Sequence, residues 1–250
     1  MKRIKLSDEQ REKASQILKL FKNDYEKFSK NRTATYEFTK TVGVKVCPYC
    51  NINFISTVFS DDEKPKGVLR PDIDHFFCKS EYPELQLCLF NLIPSCSPCN
   101  QRLKRDADFM VEPHIHPYFH DFDSIIQFRV RLKESANYFD ESNIEIEFVP
   151  QASVSKHLVS RAKNNIKTFR LKERYKLHAD QAVDLFKKAK YYWKAKKEEI
   201  NRLLAGKSRN ASDLLPAVSL DRVLFPEKDC DINQVSLGKL KKDIIIRYCL

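Results

Sequence analysis

Hydrophobic and polar positions divide the chain into three stretches of different period. Near the start, Ile17, Leu18, Phe21, Tyr25 and Phe28 recur at three- and four-residue spacing. That spacing predicts a helix over about residues 8–29 with these side chains on its buried face. Ser7 followed by Gln10 supplies a capping box for its first turn. Residues 40–58 alternate like short strands, and strand character returns from Val68 to Phe77, which places Asp74 and His75 at a strand end. The polar segment from Ser60 to Gly67 reads as a surface loop. Asn91 falls in a tight connection before Ile93, and Pro98 and Cys99 open a helix through Asn100, Arg102, Leu103 and Lys104.

Further on, alternation from Ile125 to Leu132 and from Ile144 to Val149 predicts two paired strands. From about residue 155 the period becomes helical. Leu171, Tyr175, His178, Ala182, Leu185 or Phe186, Ala189 and Trp193 predict one long amphipathic helix. The tail after residue 210 has short apolar runs and two prolines and suggests no role. The expected class is α+β, with a helical lead over 1–40, a compact core over 41–125, and a strand pair followed by a basic helical region over 126–250.

Composition narrows the chemistry. Four glycines in 250 residues leave little material for a Rossmann or Walker-type phosphate loop, and neither motif occurs. No stretch approaches the ~18 consecutive apolar residues of a membrane span. The N-terminus turns polar at once, so a cytoplasmic protein without a membrane partner is expected. The formal charge is +11. Residues 155–210 hold 17 Lys/Arg against 5 Asp/Glu, an excess of 12 that accounts for all of it. Mixed-sign faces are the rule for merely solvated helices. Lys187, Lys188, Lys190, Lys194, Lys196 and Lys197 are therefore candidates for phosphate contact or for docking a protein partner.

Cysteine spacing carries the sharpest signal. Cys47-Pro48-Tyr49-Cys50 and Cys96-Ser97-Pro98-Cys99 are two Cys-x-x-Cys knuckles. Together they offer four thiolates for a tetrahedral structural Zn²⁺. Cys78, Cys88, Cys230 and Cys249 lack ligand spacing and read as small hydrophobes. Between and beside the knuckles stand Asp74, His75, Asn91 and Asn100. A neutral imidazole suits proton abstraction from water, and a carboxylate with an amide oxygen suits a hard divalent ion. Lys104 and Arg102 are open between phosphate contact and solvent. His114, His116 and His120 are open between metal ligation and an ordered loop packing Tyr118 and Phe119.

The order Cys-x-x-Cys, Asp-His, Asn, Cys-x-x-Cys-Asn resembles the zinc-containing HNH endonucleases, over about residues 45–105. The resemblance implies a ββα-metal core, structural zinc on Cys47, Cys50, Cys96 and Cys99, and His75 as general base. Asp74 and Asn100 would hold a catalytic Mg²⁺ or Mn²⁺, and Asn91 would order the loop and orient the histidine. DNA is the implied substrate and RNA the alternative, with a non-catalytic zinc nucleic-acid-binding module as a third reading. The wider layout, with Leu171-Lys172-Glu173-Arg174-Tyr175 in the basic extension, resembles the nuclease subunits of Septu-type and retron-linked anti-phage systems. Those work with an ABC/SMC-like ATPase, which the resemblance adds as an expected partner.

Overall fold

A computed structural model describes residues 7–63, 66–133, 139–193 and 225–249. The chain divides into two units, Met1–His120 and Asp121–Leu250. Among the described residues no helix is long and apolar enough to cross a membrane.

The first unit begins with α1 (Asp8–Lys30), whose capping box forms as its sequence prescribes: the Ser7 side chain accepts from the Gln10 amide and the Gln10 side chain accepts from the Ser7 amide. Its expected buried face is not buried. No residue of α1 falls in the core, and Ile17 and Phe21 are 54% and 37% exposed. The periodicity is real, but only the C-terminal end of α1 meets the unit, where Tyr25 and Phe28 are half-buried. A second helix, α2 (Arg32–Val42), occupies part of the stretch expected to hold strands, capped by Asn31 and stopped by Gly43 in the left-handed region at φ 70°.

Beyond Gly43 the chain makes a tight excursion closed by a bridge between Val46 and Phe54. Two short antiparallel ladders follow. Strand β1 (Val58–Phe59) pairs with β2 (Gly67–Leu69). Strand β3 (Asp72–His75) pairs with β4 (Leu92–Ser95), with Asp74 opposite Ile93 and His75 opposite Leu92. Pro71 lies between β2 and β3; having no N–H to donate, it ends one ladder before the next begins. A seven-residue π-helix, Pro98–Lys104, follows β4 directly.

In this unit Val46, Cys47, Leu92, Ile93 and Cys99 are wholly buried. Phe76 and Phe109 extend that core into the Pro/His-rich stretch. The His114 ring stacks on Phe109 at 3.6 Å between centroids, and the His116 ring lies 4.2 Å from Phe76. Of the histidines left open by sequence, His114 and His116 thus serve as core aromatics. Among the described residues His114, His116 and His120 join no metal-capable cluster.

The second unit opens with α3 (Phe122–Ile125) and pairs β5 (Ile126–Leu132) with β6 (Ile144–Pro150) antiparallel, as the alternation predicts. The single long helix expected from residue 171 is broken. After a separate α4 (Lys156–Thr168), it appears as α5 (Leu171–Lys176) and α6 (Ala179–Lys187), with a π-turn, Lys188–Trp193, after it. Arg170 at φ 50° separates α4 from α5, and Leu177 and His178 interrupt the expected helix, yet its apolar face survives, since Leu171, Tyr175, Ala182 and Leu185 are all buried. A last helix, α7 (Gly238–Ile244), carries a buried Lys239 that pairs with Asp123 at 2.6 Å and Asp243 at 2.7 Å. Lys187, Lys188 and Lys190 are exposed. Lys194, Lys196 and Lys197 and most of the tail lie outside the described residues, as does the Trp193 side chain.

Candidate metal and hydrolytic site

The two knuckles come together. The sulfurs of Cys47, Cys50, Cys96 and Cys99 lie within 4.8 Å of one another, and all four residues are buried. Corners of a tetrahedron with metal–sulfur bonds of about 2.3 Å stand about 3.8 Å apart. Cys50 and Cys96 Sγ are 4.0 Å apart, so the cluster fits a zinc ion with little adjustment.

Local backbone geometry explains the convergence. In the first knuckle the amides of Cys50 and Asn51 both donate to the Cys47 carbonyl. Asn51 takes φ 53°, which asparagine tolerates better than most residues. In the second, Cys96 follows β4 and the Asn100 amide donates to its carbonyl, so Cys99 sits in the first turn of the π-helix. Burial, then hydrogen bonding with the other three cysteines, pushes the Cys47 thiol far above its ordinary range. A divalent cation reverses that preference by binding the thiolate.

On the hairpin beside this cluster, Asp74 and His75 are 3% and 7% exposed. The Tyr49 hydroxyl donates to Asp74 Oδ2 at 2.6 Å, and Lys104 Nζ donates to Asp74 Oδ1 at 3.0 Å and to the His75 carbonyl at 2.6 Å. Burial raises the Asp74 carboxyl above its ordinary range, while the Lys104 ammonium and the Tyr49 hydroxyl pull in the opposite direction. Sequence left Lys104 open between phosphate and solvent, and the structure corrects both readings. Its side chain is 2% exposed and turned inward, while Arg102 remains on the surface. Lys104 follows Asn100 by four residues on one helix, a spacing that could have pointed to a shared face.

His75 Nε2 lies 3.1 Å from the Gln86 carbonyl oxygen. A carbonyl only accepts, so Nε2 carries the proton in the neutral ring and Nδ1 keeps the basic lone pair. Burial lowers the His75 pKa to about 4, against the Gln86 hydrogen bond that favours the charged form. The Tyr25 ring stands edge-on to His75 at 4.7 Å, with Lys79 Nζ 5.2 Å from the Tyr25 ring centre. Tyr25, Tyr49 and Gln86 were not picked out by sequence as part of this site. Tyr49 carried one clue, its place inside the first knuckle.

Asn91 is wholly engaged with the loop that follows His75. Its Oδ1 accepts from the Phe77 amide at 2.7 Å, and its Nδ2 donates to the carbonyls of Phe77 and Leu85 at 3.2 and 3.0 Å. Asn100 turns elsewhere than Asp74. Its Nδ2 donates to Asp72 Oδ2 at 3.2 Å, and Gln101 Nε2 donates to the same oxygen at 2.8 Å. The structure thus gathers Asp74, Lys104, Tyr49 and the His75 backbone in one contact group. Asn100 joins Asp72 in an adjacent one.

No protein-family model matches the chain, and no solved structure matches it. Protein ea31 of Escherichia phage lambda is similar, with 29% identity over 168 residues that cover 64% of this chain and 50% of ea31. The chain spans about half the length of that curated relative. What stands from the geometry is a mixed α/β protein with a buried four-cysteine cluster suited to structural zinc.

Proposed function

We propose that the protein is a metal-dependent HNH endonuclease that hydrolyses phosphodiester bonds, with DNA as substrate. One observation carries the proposal: an antiparallel hairpin and a following helix, both tied to a four-cysteine cluster, hold a buried Asp74 and a neutral His75 side by side. In this reading His75 Nδ1 takes the proton of the attacking water, and the Gln86 carbonyl keeps the ring in the required tautomer. Asn91 fixes the backbone immediately after the base, so the imidazole is aimed by the loop rather than by substrate.

Asp74 is suited to a cation, since it already holds the Lys104 ammonium in a buried site. It would hold a hard divalent ion in the same way, with Asn100 as the second protein ligand. When bound, such an ion neutralises the charge that builds on the phosphate and the leaving oxygen. The tight Tyr49 and Lys104 contacts also favour a second reading, a zinc-stapled nucleic-acid-binding module without hydrolysis, because the carboxylate is satisfied by protein groups alone.

Plasmid cleavage with Mg²⁺ separates the two. The nuclease reading expects cutting that disappears in His75→Ala at unchanged zinc content; binding without cutting by the wild type on both DNA and RNA would leave the module. The layout resemblance adds an ABC/SMC-like ATPase partner in an anti-phage complex to this proposal. Co-purification of the two chains, lost on truncation at residue 155, is its test.

A further inference from the structure

A groove of about 410 Å³ runs between the start of α2 and strand β2 and is not used by the residues above. Lys30, Arg32, Tyr36, Arg70 and Asp72 are among its lining. We propose that this groove binds the phosphodiester backbone of a nucleic acid, with Arg32 and Arg70 gripping phosphate; the choice of ligand rests on the nuclease reading and deepens it.

The two guanidiniums are held ready. Arg32 Nη2 donates to the Gly67 carbonyl at 2.6 Å, and Arg70 Nη1 donates to the Pro71 carbonyl at 2.8 Å. Each lies over the same Tyr36 ring, 5.5 and 5.9 Å from its centre. That ring is itself fixed. It presses so closely on Gly67 that a Cβ there would meet Tyr36 Cδ1 at 2.2 Å. Among the described residues neither guanidinium has a carboxylate within ion-pair distance, and each uses one N–H on a carbonyl. The remaining donors of a rigid fork are the groups that match phosphate oxygens two at a time. A surface arginine kept for stability would more usually face an acid.

The groove also leads to the proposed hydrolytic centre. Its acidic end, Asp72, is held by Asn100 and Gln101, and Asp72 opens the strand that ends at His75. At about 3.3 Å per residue the two lie roughly 10 Å apart along β3. Burial raises the Tyr25 phenol above its ordinary range while the nearby Arg70 guanidinium pulls the other way, and the Tyr25 ring rests against His75. A backbone seated on Arg32 and Arg70 would therefore continue toward the base.

The test is fluorescence anisotropy of the zinc-loaded full chain on a short labelled DNA duplex, in Ca²⁺ without Mg²⁺, across a salt series. Duplex binding loses about 0.9 in the slope of log K against log salt for each phosphate contact removed. Arg32→Gln and Arg70→Gln should each flatten the slope by about 1, and the double variant should bind more than about tenfold more weakly at moderate salt. Lys30→Gln, on an exposed side chain, should act in the same direction. Arg32→Lys and Arg70→Lys keep the charge and should keep the slope while losing affinity. An unchanged slope in the double Gln variant would overturn the proposal, as would Lys variants that lose as much slope as the Gln ones. If no protein cleaves but the Gln variants still flatten the slope, the nuclease reading fails and the groove stands.

Discussion

Replacing Lys104 with methionine puts the buried ion pair directly to the test. The substitution keeps most of the aliphatic stem and removes the ammonium, leaving Asp74 with the Tyr49 hydroxyl and a backbone hydrogen bond at His75 to offset its charge. The pair is 3.0 Å long between side chains that are 2% and 4% exposed. At an effective dielectric of about 20 the Coulomb term at about 3 Å is roughly 5 kcal/mol. Breaking one partner of a buried pair is measured at about 3–5 kcal/mol. We therefore expect Lys104→Met to destabilise the first unit by about 3–5 kcal/mol in urea unfolding of the zinc-loaded protein. Asp74→Asn should behave similarly, and the double variant should lose well under the sum, because neither charge is then stranded. Mg²⁺ provides the discriminating arm. If Asp74 is a metal ligand, a divalent ion takes the place that the ammonium vacates. Saturating Mg²⁺ at about 100 times its Kd should then return about 2.7 kcal/mol to Lys104→Met. A loss under about 1 kcal/mol for the single variant, or additive losses in the double, would refute the assignment of a coupled buried pair. Absence of any Mg²⁺ rescue would remove Asp74 from the list of metal ligands.

Three further outcomes are expected. Elemental analysis should find one zinc per chain, abolished by Cys47→Ser or Cys96→Ser and retained in Cys230→Ser, which lies outside the cluster. Burial depresses His116 from 6.5 to about 4, despite the Phe90 carbonyl hydrogen bond, with His120 adding to the depression. The unfolded chain therefore takes up this proton first as pH falls, and stability is lost between those two values. At about pH 5 the loss from His116 is about 2 kcal/mol relative to about pH 7; His116→Phe should remove that increment from the fall in urea stability, and an identical fall in both proteins would refute it. Gly67→Ala should destabilise by about 1–3 kcal/mol through overpacking against Tyr36, read as a lower melting temperature, and a neutral effect would show that the ring gives way.

Much of the candidate site could be read in the chain because its key residues lie close together in sequence. Two knuckles fix their own turns, and a four-residue strand fixes the order of Asp74 and His75. The strand pair Ile126–Leu132 and Ile144–Pro150 was legible for a similar reason: alternation with one buried face admits one pairing register. The errors have a different origin. In α1 the apolar period is present but most of its side chains stay exposed, because periodicity describes a helix face without saying what covers it. The long helix from residue 171 was divided at Leu177 and His178, between α5 and α6, by a backbone conformation that side-chain spacing does not encode. Lys104 was misread because a lone lysine on a short helix carries no mark of its partner; the carboxylate it meets lies 30 residues back on another element.

That last error bears on function. A lysine in this position was expected to look outward, toward phosphate or solvent, and it instead points inward at the carboxylate proposed to bind metal. The positive charge available to substrate then comes from elsewhere. Within the first unit it is supplied by Arg32 and Arg70, fixed over Tyr36 and lacking acid partners among the described residues. The same division follows from desolvation. A charge 2% exposed is committed to its buried partner, whereas the exposed Arg32 and the half-buried Arg70, with spare N–H groups, can exchange water for phosphate at small cost. Substrate grip and metal charge balance are therefore separable here, and the variants should separate them too. Arg32 and Arg70 should govern the salt dependence of binding, while Lys104 should govern stability and its response to Mg²⁺. A Lys104→Met protein whose binding slope fell as far as that of the arginine variants would show that this separation is wrong.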